Sequence, residues 1–490
     1  MNAAAYLLAT GESSATALAC GSERVNYGEL RAAVGCAAGA WRAHGLGYGD
    51  RVLVFAPDGI AWAIAYLGAI WAGGVAVGLN SRLFERELSV VLSESGARFI
   101  WCSEGSRALL ERLLAGITNP PQLVIDAEWS AGLSQADVMS AAEMRDDDPA
   151  IWIYTSGTTG LPKAVVHAQR SVIGSADFAR EILGLSAQDC IYASSKMFFA
   201  YALGNSFCAG LRLGATVVLD PEWPTAERVA EIVERHRPTA LFSVPTLYLK
   251  MLQSGVAARC AAAGVQHYVS AGESLPAAVR RGWWDATGVA PVSGYGASET
   301  IVLVFYCDDE SMTLKPSPRV EYSVRDGGED AAPKRLWLKH PSIALGYWRR
   351  PEADSDSFSV GRFSPGDLFR RRDDGSVEFC GRDDDMLKIS GQWVSILQVE
   401  QSLLGASAGS VESLAAVGFD NAEGLVSIAL FVVAAQGQES LARERIAAGI
   451  EALPKLKRPR LVKWVEELPL TATGKLQRRK LKEQYLGSFA

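Results

Sequence analysis

The sequence predicts an α/β protein in more than one part. It should have a large N-terminal portion of two doubly wound α/β subdomains plus a β-barrel-like subdomain, and a small α+β C-terminal portion. Three observations predict this. Up to about residue 300, short β-branched and aromatic runs alternate with longer helical patterns, as in parallel sheets covered by helices on both faces. Past residue 330 the texture changes to strand-like runs with hairpin punctuation such as Asp374-Gly375. The chain, at 490 residues, exceeds what one core usually holds.

Taken in order, the N-terminus MNAAAYLLATGESS lacks a basic region and carries only a short apolar run, so no signal peptide is expected. Val52 to Ala56 reads as a strand. Ile60 to Leu79 is long and uncharged enough to suggest a membrane span. It is, however, rich in Ala and Gly and broken at Gly73-Gly74, so the expectation is helix, turn, strand, and no membrane. Further strands are expected at Arg98 to Cys102, Gln122 to Asp126, Ile151 to Tyr154, Thr216 to Leu219, Ala240 to Val244 and His267 to Ala271. In such sheets ligands sit beyond the carboxyl ends of the strands. Arg335 to His340 and Ser364 to Phe379 read as antiparallel strands. The run GRDDDMLKISGQ from Gly381 to Gln392 then looks like an exposed connector.

Composition narrows the classes. With 49% apolar and 21% charged residues and no biased tract, the chain is globular rather than disordered. A net charge of −7 gives no electrostatic footprint for nucleic acid. The 8 cysteines include no C-x-x-C pair, which speaks against a zinc site or disulfide framework and fits a reducing cytoplasm.

Five regions carry chemistry. In IWIYTSGTTGLPKAVVHAQR, from Ile151 to Arg170, an apolar run delivers a loop of hydroxyls and glycines. Thr155, Ser156, Thr158 and Thr159 beside Gly157 and Gly160 can aim amides and hydroxyls at one anion, with Lys163 as a mobile positive charge. A Ser/Thr-rich surface turn is the plain alternative, and the Gly-Lys-Ser/Thr ending of a Walker loop is missing. Gly272-Glu273 and the run Ser293 to Thr300 follow two later strands. There Tyr295, next to Gly296, can stack a base and Glu299 can hold a hard divalent cation, although a packed turn and a solvated Glu are commoner. In Lys196 to Asn205, Phe198, Phe199 and Tyr201 can line a flat apolar slot in which Ala200 and Gly204 leave room, against core packing as the ordinary reading. Near the C-terminus, LPKLKRPR (453 to 460) and ELPLTATGKLQRR (467 to 479) put Lys475 after a Thr/Gly loop. A solvated lysine is the default there, yet such a loop can carry a charge into a distant site.

Together these runs resemble the adenylate-forming superfamily, which includes acyl- and aryl-CoA synthetases. YTSGTTGLPK resembles its phosphate loop, SAGESLP and GYGASET its nucleotide strands, SPGD its ribose aspartate, GRDDDMLK its hinge and PLTATGK its lysine loop. Asn26 to Leu30, Gly49 to Val52 and Gly346-Tyr347-Trp348 add weaker matches.

The resemblance implies an N-terminal domain of residues 1–383 binding ATP and acid, and a mobile C-terminal domain of 384–490 hinged at Asp384. Thr155, Ser156, Gly157, Thr158, Thr159, Gly160 and Lys163 would surround the ATP phosphates. Gly272, Glu273, Tyr295 and Gly296 would border adenine, and Asp367 and Arg382 would hold the ribose. Ser298, where the family usually has Thr, and Glu299 would face the α-phosphate and Mg2+. Lys475 would serve adenylation, and Lys388 and Gly391 the thioester step.

FFAYALGN and SGQWVS (390 to 395) resemble benzoate-CoA ligases in particular. Ala202 stands where those commonly have Gly, and Ile396-Leu397 where they usually have Pro. The implied substrate is a small aromatic carboxylic acid, benzoate or a relative such as aminobenzoate, with Ile301, Val302 and Leu303 as further walls. A medium-chain fatty acid is the alternative. Coenzyme A is the expected acceptor, met by Lys457, Arg458 and Arg460. A carrier protein as acceptor, a homodimer, and an idle nucleotide-binding relative stay open.

Overall fold

The computed structural model describes residues 1–133, 136–156, 162–309, 313–324, 333–359, 361–382, 386–389, 392–407, 409–421, 425–470 and 476–486. They fall into two compact units, one of Met1–Glu321 and Leu338–Phe363 and one of Tyr322–Trp337 and Ser364–Ala490.

The first unit contains two large sheets. Its strands in chain order are β1 (Thr16–Cys20), β2 (Glu23–Asn26), β3 (Arg51–Phe55), β4 (Val75–Gly78), β5 (Phe99–Cys102), β6 (Gln122–Ile125), β7 (Pro149–Ser156), β8 (Pro162–Ala168), β9 (Cys190–Ala193), β10 (Thr216–Leu219), β11 (Ala240–Ser243), β12 (His267–Ser270), β13 (Val292–Tyr295), β14 (Phe305–Cys307) and β15 (Lys315–Pro316). One sheet runs β8-β7-β4-β3-β5-β6, with the short strand Gly346–Tyr347 added beside β8. Within it β3 to β7 pair in parallel, while β8 runs antiparallel to β7 and to Gly346–Tyr347. The second runs β15-β14-β13-β12-β11-β9-β10-β1-β2, parallel from β13 to β1 and antiparallel at both ends.

The expected parallel strands are present, and Thr216–Leu219 matches residue for residue. Ile60 to Leu79 is the expected helix (Ile60–Trp71), turn and strand β4. The helix is apolar all round because it lies in the core that joins both sheets. Trp62, Tyr66, Leu67 and Ile70 are buried there with Val52 and Ile151 of one sheet and Leu18 and Val217 of the other. A neighbouring helix, Tyr27–Ala43, starts on a capping box in which the Asn26 side chain and Glu29 satisfy each other's backbone amides. Among the described residues no helix is long and apolar enough to cross a membrane.

The second unit begins with the antiparallel strands expected past residue 330. Arg335 pairs with Leu368, and Asp367–Arg371 pairs with Val377–Arg382 across the turn containing Gly375. A hairpin of Met386–Ile389 and Gln392–Ser395 follows. Strands Val411–Asp420, Val426–Ala434 and Leu461–Trp464 then form a sheet that packs with helices Ile396–Ser407 and Glu439–Ala452 around Val399, Leu403, Leu430 and Ile446. This is the small α+β element the sequence predicts. The expected hinge residue Asp384 lies outside the described residues.

Candidate active site

The phosphate-loop candidate begins at the end of β7 and reaches into β8. Sequence reasoning places a strand before it; the structure adds β8 after it, paired so that Thr155 faces Lys163 and Ser156 faces Pro162. Gly157, Thr158, Thr159 and Gly160 lie outside the described residues. Lys163, expected as a mobile charge on the loop, is the second residue of β8 and is held in place. Its ammonium sits 3.7 Å over the Tyr347 ring and 3.9 Å from Glu299 Oε1.

Tyr347 completes a triangle that sequence reasoning did not find. Its hydroxyl donates to Glu299 Oε1 at 2.7 Å. Burial, followed by the Glu299 carboxylate, pushes its phenol well above the ordinary range, so it remains a donor. The short strand Gly346–Tyr347 pairs Tyr347 with Val165 of β8, while Tyr347 N donates to Asp354 Oδ1 at 2.6 Å. Gly346 has φ 148, and a Cβ there would stand 2.8 Å from Asp354 Oδ1, so this turn needs glycine. The only signal in the sequence was the weak Gly346-Tyr347-Trp348 match, which assigned no role.

Ser298 and Glu299 lie in a tight turn just after β13, braced from two other segments. His167 Nε2 donates to Ser298 O at 2.8 Å, and Ala344 N to Glu299 O at 2.9 Å. Burial pushes the His167 imidazole down to about 4, so near neutral pH it is uncharged and donates through Nε2. Sequence reasoning gave His167 no role, because a lone histidine in an apolar strand carries no local signal.

The adenine candidates sit at the ends of two adjacent parallel strands, β12 and β13, in which Ser270 pairs with Ser293; Tyr295 is the last residue of β13. Gly272 and Glu273 are exposed, and Glu273 accepts from Thr246 Oγ1 at 3.1 Å. Tyr295 is half-buried with its ring 6.3 Å from that of Phe305, and Gly296 is exposed beside it.

The slot candidates come together. Phe198 and Phe199 are half-buried, with ring centroids 4.4 Å apart, and Phe198 lies 6.2 Å from Trp223. Tyr201 is half-buried, and its hydroxyl donates to Val269 O at 2.8 Å. Ala200, Gly204, Ile301 and Val302 are buried, and Gly204 lies directly against the Ile301 backbone. Beneath the segment, the buried Asp58 carboxylate accepts from Met197 N at 3.1 Å, and Lys196 Nζ donates to Asp220 O at 2.6 Å and to Glu222 O. Burial pushes the Asp58 carboxyl up to about 7 against the opposing pull of Lys196, and burial lowers Lys196.

In the second unit, Asp367 and Arg382 are backbone partners in one hairpin, and Lys388 lies in strand Met386–Ile389 opposite Trp393. Lys457 Nζ donates to Gln398 Oε1 at 3.0 Å. Arg458 donates to Leu453 O at 2.8 Å and to Glu451 O, at the end of helix Glu439–Ala452, while Arg460 is exposed. Lys475 and Gly391 lie outside the described residues.

Comparison with known proteins gives a consistent result. Residues 8–348 match the family model of the AMP-binding enzymes, and residues 398–475 that of the AMP-binding enzyme C-terminal domain. A 3-hydroxybenzoate–CoA/4-hydroxybenzoate–CoA ligase of Thauera aromatica is 37% identical over 498 residues, covering 97% of this chain and 95% of that protein. Among solved structures, a benzoate CoA ligase from Burkholderia xenovorans LB400 superposes with a TM-score of 0.87 at 32% identity, covering 99% of this chain and 100% of that one. An anthranilate CoA ligase in complex with anthranoyl-AMP gives a TM-score of 0.89 at 26% identity, covering 99% and 97%. With a family model spanning 8–348 and a relative this similar along nearly its whole length, the chain belongs to the AMP-binding enzyme family.

Proposed function

We propose that the protein is an ATP-dependent aryl-CoA ligase for benzoate or a ring-substituted relative. The observation that carries this reading is that the segment bearing the half-buried Phe198, Phe199 and Tyr201 meets, through Gly204 and Ile301, the turn that follows Ser298 and Glu299. The similar proteins named for benzoate, hydroxybenzoates and anthranilate support it.

The reaction has two halves. A carboxylate oxygen attacks the α-phosphorus of ATP, and the bond to the bridging oxygen breaks so that pyrophosphate leaves. The thiolate of CoA then attacks the acyl carbon, and AMP leaves with the oxygen that joined them. No nucleophile on the protein is required, so the chain's task is positioning and neutralising charge. Lys163, with Thr155, Ser156, Thr158 and Thr159, holds the departing phosphates. Gly272, Glu273, Tyr295 and Gly296 border adenine, and Asp367 and Arg382 hold the ribose.

Among the described residues no group of three or more His, Cys, Asp or Glu side chains could cage a metal. A lone carboxylate backed by Tyr347 nevertheless suits Mg2+, which takes its remaining ligands from phosphate and water. When bound, the ion supplies charge neutralisation at the phosphates. Lys475 serves the first half-reaction, and Lys388 and Gly391 serve the second. The slot takes the ring between Phe198, Phe199, Ala200, Tyr201, Gly204, Ile301 and Val302. We place the boundary of the mobile domain at 383/384 with Asp384 as its hinge, and the reaction in a reducing compartment that suits the 8 free cysteines.

The test is acid-dependent AMP release with CoA over substituted benzoates and C4 to C10 fatty acids. The expected result is turnover on benzoates with acyl-CoA formed. AMP release only with fatty acids, or thioester formed only on a phosphopantetheinyl carrier, would overturn the aryl-CoA reading.

A further inference from the structure

We infer that Asn205 is a positioning residue that couples the acid slot to the turn carrying Ser298 and Glu299. This rests on the aryl-acid reading above.

The slot segment enters a π-helical turn, Leu203–Cys208. Such a turn shifts backbone bonding by one carbonyl and leaves one acceptor without its usual partner. Asn205 Nδ2 donates to Tyr201 O at 3.0 Å, so the buried side chain takes up a carbonyl of the slot itself. Its other end faces the turn, where Leu303 N donates to Asn205 Oδ1 at 2.9 Å.

That turn is under strain. Ile301 has φ 54, a left-handed conformation that a β-branched residue strongly resists. Local bonds hold it there: Val302 N to Thr300 O at 2.6 Å, Thr300 Oγ1 to Val302 O at 3.0 Å, and Val304 N to Tyr295 O at 2.8 Å. The slot helix contributes the Asn205 bond. It also approaches without an intervening side chain, since a Cβ on Gly204 would stand 1.9 Å from Ile301 O. The two backbones therefore touch, and one amide side chain binds to both.

A ring lying on Ala200, Tyr201 and Gly204 acts on the helix whose Tyr201 carbonyl Asn205 holds. The same amide restrains the strained turn that presents Ser298 and Glu299 to the nucleotide. Acid and nucleotide should accordingly bind with positive and reciprocal cooperativity that passes through Asn205.

The experiment measures the affinity of α,β-methylene-ATP with Mg2+, by calorimetry, with and without saturating benzoate. It uses the parent protein, Asn205→Leu, which keeps the volume and loses both bonds, and Asn205→Asp, which keeps an acceptor for Leu303 N. Benzoate should tighten nucleotide binding about fivefold or more in the parent, and by a smaller factor in Asn205→Asp, which keeps the bond from Leu303 N but cannot donate to Tyr201 O. In Asn205→Leu the factor should fall to about one, and the affinity for nucleotide alone should weaken as the turn that presents Ser298 and Glu299 loses its restraint. If Asn205→Leu does not fold, Asn205→Ser replaces it with the same expectation. A parent that releases AMP with benzoate yet shows no cooperativity, or a Leu or Ser variant that keeps it, overturns the inference. A parent that releases no AMP with any aryl acid instead removes the aryl-ligase reading.

Discussion

Replacing Asp58 by asparagine should make the protein increasingly more stable than its parent as pH rises from 5 to 8. The Asp58 carboxyl is buried under the slot, and burial raises its pKa from 3.8 to about 7. The amide of Met197 and the charge of Lys196 oppose that rise, while Asp220 adds to it. Asp220 is itself tied to Arg228 at 2.7 Å, and Glu222 faces the same lysine. Because the folded value lies above the unfolded one, the native state holds the proton more tightly. The resulting stability is fully present below the unfolded value and is lost as pH rises through about 7.

At about 1.36 kcal/mol per tenfold, the whole loss is about 4 kcal/mol, of which about 2.5 falls between pH 5 and 8. Asparagine keeps an acceptor for Met197 N and does not titrate. His167 and His340, both pushed down to about 4 by burial, act in the opposite sense, adding stability as pH rises from about 4 to 6.5. They are common to both proteins and cancel in the difference. Urea midpoints followed by tryptophan fluorescence at half-unit steps measure that difference. A gap between variant and parent that stays constant within about 0.5 kcal/mol from pH 5 to 8 refutes the account of Asp58.

Lys475→Ala should lower acid-dependent pyrophosphate release about a hundredfold while a supplied aryl-adenylate is still converted to thioester; equal loss in both half-reactions would remove the assigned role. Tyr347→Phe deletes the 2.7 Å bond to Glu299 and should raise the Mg2+ concentration for half-maximal adenylation about tenfold, near 1.4 kcal/mol for a charge-assisted bond. Unchanged Mg2+ dependence would show that this bond does not serve the metal. Gly204→Ala places a methyl 1.9 Å from Ile301 O, and overpacking against backbone costs about 1–3 kcal/mol. Its melting temperature should fall and its KM for benzoate rise, whereas parental values for both would mean that the contact is loose.

The architecture was largely legible because burial writes itself into local composition. The helix Ile60–Trp71 carries no charge since both sheets close on it, and β10 is rich in β-branched residues because it is an interior strand with parallel neighbours on both sides. What stayed hidden depends on partners far along the chain. Nothing in PKAVVHA announces that it turns back antiparallel to β7, so Lys163 read as a loop charge rather than a strand residue. Tyr347 gains its position only by pairing with that unforeseen strand. The π-helical turn at Leu203–Cys208 has no periodic signature of its own. Phe198 and Phe199 were legible as candidates for a slot, whereas the direct contact of Gly204 with the Ile301 backbone was not. Motif spacing was a good guide to position along the chain, since Ser298 and Glu299 follow β13 and Gly272 and Glu273 follow β12 as the sequence reads.

Strand β1 pairs with β10, joining Leu18 to Val217 and Cys20 to Leu219. On the ribosome the first strand therefore waits for a partner made some two hundred residues later, roughly 10–40 s at ordinary elongation rates. Through that interval its backbone groups have only β2 beside them, and the second sheet can be completed only late in synthesis. Slowing translation between the two strands should lengthen the exposure of a sticky edge and raise aggregation during expression, without altering the finished enzyme.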